Sequence, residues 1–163
     1  MKKILVGLLG VLLAVARSWA DFDEGVVAYA MGQYDKALES MMPLAESANH
    51  PYAQYYLGSM YANGQGLKQD FKEAAKWYER AAKQGIPQAQ FRLGEIYMSG
   101  RGVPMDLERS YAWFAVASHL GHAQAAKALQ SSLQRLSPDE LAEAKKLGDQ
   151  LIQQYGIRSV ASP

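Results

Sequence analysis

Residues 53–88 read AQYYLGSMYANGQGLKQDFKEAAKWYERAAKQGIPQ, and residues 89–124 read AQFRLGEIYMSGRGVPMDLERSYAWFAVASHLGHAQ. The two stretches align without a gap at a period of 36, with twelve identical positions. These are Ala53/Ala89, Gln54/Gln90, Leu57/Leu93, Gly58/Gly94, Tyr61/Tyr97, Gly64/Gly100, Gly66/Gly102, Asp70/Asp106, Trp77/Trp113, Ala81/Ala117, Gly85/Gly121 and Gln88/Gln124. Chance supplies roughly two or three identities in such a window, so the chain is built on a repeat.

Each unit carries two helical patterns. Ala53, Leu57, Met60 and Tyr61 recur at steps of three and four and share one helix face. Ala74, Trp77, Tyr78, Ala81 and Ala82 do the same in the second half. The glycines of Asn63-Gly-Gln-Gly66 stop the first helix and turn the chain. Asp70 and Asp106 stand where a side chain caps the second helix, and Gly85 and Gly121 end it. Gly58 and Gly94 lie inside a helix, where glycine costs about 1 kcal/mol relative to alanine. Close approach of a neighbouring helix is the usual compensation, and Trp77 and Trp113 are the expected partners.

Working outward, residues 21–48 hold a shorter relative. Gly25 and Ala28 are followed by the tight turn Gly32-Gln-Tyr-Asp35, then by Ala37, Leu38, Met41, Leu44 and Ala45. Pro43 falls inside the second of these helices and marks a place for a kink. Downstream, Ala123, Ala125 and Leu129 open a fourth unit that lacks the Gly-x-Gly turn. Ser137-Pro-Asp-Glu140 is a capping box with proline at the first helical position. The helix it opens sets Leu141, Ala144, Leu147, Leu151 and Tyr155 on one face and charges on the other, as the end of a solenoid requires.

The pattern Ala53-x-x-x-Leu57-Gly58-x-x-Tyr61-x-x-Gly64-x-Gly66, then Asp70, Ala74, Trp77-Tyr78, Ala81-Ala82 and Gly85, resembles the Sel1-like repeat, a relative of the tetratricopeptide repeat with a longer inter-helix turn. The second copy departs at Ser110, Ser118 and Phe114. The resemblance covers about residues 21–124. It implies an all-α, right-handed α-solenoid of helix–turn–helix repeats with a C-terminal capping helix. It also implies a module that binds proteins or peptides and has no chemistry of its own. The expected divisions are 1–20 as a signal peptide and one domain over 21–163, with units 21–51, 52–87 and 88–123 and a cap over 124–157.

Residues 1–20 hold Lys2 and Lys3, an apolar run from Ile4 to Ala16, and small residues at Ser18 and Ala20. This is the grammar of an exported protein, with cleavage after Ala20 or after Ala16. Without Lys2, Lys3 and Arg17, 14 of the 17 cations remain against 16 anions, a charge near −2. Such a balance offers nucleic acid no footprint. The apolar run is too short for a permanent membrane span. With no cysteine in the chain, disulfide and thiolate–metal frameworks are excluded, and the β-lactamase-like chemistry described for cysteine-rich relatives does not carry over. The expected location is the periplasm or, beyond it, the medium.

The repeat pattern is a packing code, so binding falls on positions it leaves free. In the resembled family the first helices line the inner surface. Their free face carries Phe22, Val26 and Tyr29 in the first unit; Tyr55, Ser59, Ala62 and Asn63 in the second; and Phe91, Arg92, Glu95 and Met98 in the third. Phe22, Tyr55 and Phe91 form an aromatic strip suited to a peptide. The same rings would equally serve to cover neighbouring helices. No catalytic, metal or cofactor residues are expected: His119 and His122 are three apart without a third ligand, and they and His50 read as exposed turn histidines. The expected state is a monomer with a protein or peptide partner. An enzyme-like cell-wall protein (a hydrolase or peptidoglycan binder) and a self-associating subunit stay open as other classes.

Overall fold

The computed structural model describes residues 20–157. Among them the chain is helical, without strands, in eight helices. These are α1 (20–30), α2 (Tyr34–Glu46), α3 (Pro51–Asn63), α4 (Phe71–Lys83), α5 (Pro87–Ser99), α6 (Leu107–His119), α7 (Ala123–Leu133) and α8 (Pro138–Tyr155). Helices α3–α4 and α5–α6 are the two long-turn repeats, and each helix from α2 to α6 packs on its successor. This is the expected α-solenoid. The expected leader lies outside the described residues, apart from Ala20 at the start of α1.

Local chemistry fixes the helix ends. Asp70 accepts from the Lys72 and Glu73 amides at 2.8 and 3.1 Å, and Asp106 from the Arg109 amide at 2.8 Å. Each cap satisfies N–H groups that have no partner within the helix. The long turns close back on the preceding helix through Asp70 N–H to the Tyr61 carbonyl and Asp106 N–H to the Tyr97 carbonyl. The capping box at Ser137 and Glu140 is formed. Helices α3 and α5 begin at Pro51 and Pro87, one residue before the expected unit boundaries, because proline is the first helical residue. Helix α2 runs through Pro43 and ends three residues later.

The core forms three clusters. One joins α1 to α4 around Met41, Leu57, Met60 and Trp77. The next runs from α4 to α6 around Tyr78, Ile86, Leu93 and Trp113. The third seats α7 through Phe91, Phe114, Ala117 and Ala125.

The structure corrects the expected partners of the helix glycines. A Cβ on Gly58 would lie 2.6 Å from the Tyr78 ring, and one on Gly94 2.6 Å from the Phe114 ring. The residue after each tryptophan therefore faces the glycine. One step along a helix rotates a side chain by about 100°, which turns Trp77 into the first cluster and Trp113 towards α8. Trp113 stacks on Tyr155 at 5.9 Å, with 18° between the rings.

The expected C-terminal capping helix is seated on the repeats, not on its neighbour in the chain. Helix α8 does not pair with α7 as the second helix of a fourth unit. It packs on α6, with Gly148 against Ala112 and Ala115. Leu151, Ile152 and Tyr155 cover the middle cluster. Helix α7 buries only Ala125 and Ser132 of its own residues, so it offers α8 less apolar surface than α6 does.

A further element is the fully buried glutamine at one repeat position. Gln54 Nε2 donates to the Ala45 carbonyl at 3.1 Å and to Asn49 Oδ1 at 2.7 Å, and Gln84 Nε2 donates to Gln54 Oε1 at 2.7 Å. Gln90 Nε2 reaches the Ala82 carbonyl at 3.0 Å and the Tyr155 carbonyl at 3.3 Å. Each glutamine satisfies a carbonyl at the C-terminus of the preceding helix that intrahelical bonding leaves free. Gln90 also ties α8 to the repeats.

Candidate partner-binding groove

The first helices of the units place Phe22, Val26 and Tyr29 on α1; Tyr55, Ser59 and Asn63 on α3; and Phe91, Arg92, Glu95 and Met98 on α5. The structure does not assemble Phe22, Tyr55 and Phe91 into one strip. Phe22 meets His50 at 4.4 Å and Tyr56 at 6.1 Å. Tyr55 meets Tyr56 at 5.6 Å and Tyr78 at 5.9 Å. Phe91 is 8% exposed and lies between Phe114 at 5.5 Å and His122 at 4.5 Å. Phe91 is thus a core residue, and its removal from the binding set is a correction. The cause is α7, which approaches this side of α5 and covers the ring.

What the structure brings together is a cleft of about 480 Å³ between α3, the start of α4 and α5. Six of the expected residues line it: Ser59, Ala62, Asn63, Arg92, Glu95 and Met98. Sequence reasoning missed Phe71 and Arg101, which also line it, because Phe71 opens α4 and Arg101 lies in the turn after α5, outside the first helices. Arg92 pairs with Glu95 at 2.8 Å, both groups being well exposed. Burial opposes the charge on Arg92, but the Glu95 bond and the nearby Tyr78 and Tyr55 outweigh it and hold its pKa up. Arg101 lies over the Phe71 ring at 5.5 Å, and among the described residues it forms no ion pair.

The upstream side of the groove is closed by a polar network. Tyr29 Oη donates to Gln65 Oε1 at 3.0 Å and lies 3.1 Å from Ser59 Oγ. Gln65 Nε2 donates to Tyr34 Oη at 2.8 Å. Asn63 Nδ2 donates to Gln65 Oε1 at 3.3 Å. Tyr29 is therefore engaged within the protein. Below the network Tyr78 is 3% exposed. Burial first, and then Tyr55, push its phenol far above the ordinary range, partly offset by the Ser59 hydroxyl. It is an uncharged packing group.

Two histidines depart from expectation. His119 is exposed, but His50 is buried, and His122 is half-buried and stacked on Phe91. His50 Nδ1 accepts from the Ala53 amide at 3.2 Å and caps α3. Burial lowers the pKa of both, and Arg92 lowers that of His122 further, against Glu95. A histidine whose folded-state pKa is depressed takes up protons on unfolding. Its contribution to stability is complete above about pH 6.5 and is lost as pH falls through that value towards the folded-state pKa. The melting temperature is expected to drop between about pH 7 and pH 5. The variant His50→Asn/His122→Gln, in which asparagine keeps a cap, is expected to flatten the profile. An unchanged slope in that variant would assign the pH response elsewhere.

Among the described residues no group of three His, Asp or Glu stands close enough to hold a metal ion, and no helix is long and apolar enough to cross a membrane.

Comparison with known proteins places these observations. The chain is 40% identical over 65 residues to an exopolysaccharide production negative regulator of Rhizobium leguminosarum bv. viciae, covering 40% of this chain and 24% of that protein. It is 37% identical over 68 residues to a regulator of the same description from Rhizobium meliloti (strain 1021), covering 42% and 25%. The chain thus spans about a quarter of the length of these relatives. Its fold matches the crystal structure of a protective antigen of uropathogenic Escherichia coli with an SLR fold. That match has a TM-score of 0.81 and 31% identity, over 85% of this chain and 30% of that one. A Sel1 repeat protein from Oxalobacter formigenes matches with a TM-score of 0.63 and 23% identity, over 85% and 62%, a likeness of fold. Residues 51–86 and 87–122 each match the Sel1 repeat, so the chain carries two Sel1 repeats within a fold like that of the SLR structure.

Proposed function

We propose that this protein is a non-enzymatic adaptor of the bacterial cell envelope, exported by its N-terminal leader, which captures a protein or peptide in the groove along α3 and α5. Sel1 repeats generally mediate protein–protein interaction, and the cleft between the two repeats carries the reading. Its lining includes Ser59, Asn63, Arg92 and Glu95, which are outside the packing code and offer hydrogen-bonding groups to an extended chain. The relatives' description as negative regulators of exopolysaccharide production supports a regulatory partner in envelope polysaccharide synthesis.

The test is affinity capture from native periplasm with Asn63→Ala/Arg92→Ala as control. Both residues are exposed, so melting is expected to be nearly unchanged, within about 0.5 kcal/mol. Partner recovery is expected to fall about tenfold or more, as loss of about 1.4 kcal/mol implies. Equal recovery by the two proteins would move binding away from this groove. Mass spectrometry of the periplasmic protein is expected to give a chain beginning at Asp21, or at Arg17 if cleavage follows Ala16. An uncleaved cytoplasmic chain would refute export.

A further inference from the structure

The repeat supplies its own control for the cleft. The junction between the first two units and the junction between the second and third are built from corresponding residues. Helix glycines Gly25 and Gly58 set the register of α1 on α3, so Tyr29 corresponds to Ala62. The starts of α2 and α4 set Tyr34 against Phe71. The period of 36 sets Ser59 against Glu95 and Gln65 against Arg101.

At the first junction the space is filled. The Tyr29 ring packs edge-on against Tyr34 at 5.7 Å and Tyr56 at 5.0 Å, and its hydroxyl joins Ser59 and Gln65. Gln65 closes the junction onto Tyr34. At the second junction each of these elements has changed. Ala62 removes the ring, Phe71 removes the second hydroxyl, and Arg101 replaces the neutral amide. The result is the open cleft of about 480 Å³ lined by Ala62, Phe71 and Arg101.

We propose that a partner fills this second junction with an aromatic side chain in the place corresponding to Tyr29, and that a carboxylate next to that ring pairs with Arg101. The inference rests on the groove being a peptide-binding surface and names the chemistry it selects. The ring follows from the vacated volume. The carboxylate follows from the planar guanidinium of Arg101, which stands without an acidic partner among the described residues and suits a carboxylate. Glu95 does not compete, since Arg92 holds it.

The experiment uses three synthetic probes on an inert Gly-Ser frame, centred on Glu-Tyr-Glu, Lys-Tyr-Lys and Glu-Ala-Glu, titrated against the 15N-labelled mature protein. The Glu-Tyr-Glu probe is expected to shift amide resonances around Ala62, Ser99 and Arg101. The other two are expected to bind about tenfold more weakly or worse, as loss of one good contact implies. Arg101→Gln, which restores the residue type of the first junction, is expected to remove the preference for the acidic probe over the basic one. Ala62→Tyr, which plugs the cleft from within, is expected to abolish binding without lowering the melting temperature.

Shifts confined to the second junction and lost in Ala62→Tyr support the inference. Shifts in the groove that persist in Ala62→Tyr, or equal binding of the acidic and basic probes, overturn it and leave the adaptor reading standing. Should the Glu-Tyr-Glu probe shift nothing while the natural partner still depends on Asn63 and Arg92, the inference again fails alone. If the natural partner shows no such dependence either, both fail.

Discussion

Gly102→Ala is expected to destabilise the fold by about 3–4 kcal/mol, combining a left-handed backbone penalty of about 1–2 kcal/mol with the cost of overpacking. Gly102 has φ +76°, and a Cβ there would lie 2.4 Å from the Phe71 carbonyl carbon and 2.5 Å from the Lys72 amide nitrogen. Those are backbone atoms at the first turn of α4, where the Asp70 cap holds them, so they cannot swing aside as a side chain would. Gly32 provides the comparison. It has φ +74° but nothing within 4 Å of its missing Cβ, so Gly32→Ala is expected to cost only the backbone share, about 1–2 kcal/mol. Urea melts of both variants separate the two causes. Equal losses would show that the approach of the long turn to α4 contributes nothing. The same approach seats Arg101 over Phe71, so Gly102→Ala is also expected to weaken binding in the cleft beyond its effect on stability.

Phe114→Ala is expected to cost about 3–5 kcal/mol, the range for emptying a buried phenylalanine site. Phe114 is fully buried. It covers Gly94 on one side and meets Phe91 on the other at 5.5 Å. Loss of the ring removes the centre of the cluster that seats α7, a helix with only Ala125 and Ser132 buried. In a domain whose whole stability is about 5–15 kcal/mol, the variant is expected to show early loss of amide protection in α7 by hydrogen exchange. A double-mutant cycle gives a sharper check. Gly94→Ala alone forces a Cβ against the ring and destabilises. In the Phe114→Ala background the same methyl enters the emptied space and is expected to restore part of the loss. Strict additivity would mean that the ring does not rest on Gly94.

Much of the architecture is legible in the residue order because it depends on local rules. Asp70, Asp106 and Ser137 cap helices through bonds that span two or three residues, and such bonds need no distant partner. The glycines at the ends of α3 and α5 adopt the left-handed conformation the turn requires. The period of 36 then implies stacked units, since one helical hairpin cannot bury its apolar face alone. Trp77 and Trp113 are buried, as the packing code implies, but which buried partner each one meets depends on a rotation of one residue that spacing leaves undecided.

The groove is less legible for the same reason. Phe91 and Tyr55 occupy the same repeat position, yet Phe91 is buried beneath His122 and Tyr55 is half-exposed. The difference comes from α7, whose own sequence does not announce where it docks. His122 reads as an exposed turn residue until Phe91 is found against its ring. Phe71 at the start of α4 and Arg101 in the turn after α5 are some thirty positions apart and meet only because successive units stack.

The sequence by itself determined the repeat, the helix ends and the faces each helix must bury, because these follow from periodicity and from bonds within a few residues. Only the tertiary structure decided that α8 lies on α6, that the first junction is plugged by Tyr29 while the second stands open, and that Arg101 faces that opening. Those outcomes depend on how closely whole helices approach, and that distance is set by packing between side chains far apart in the chain.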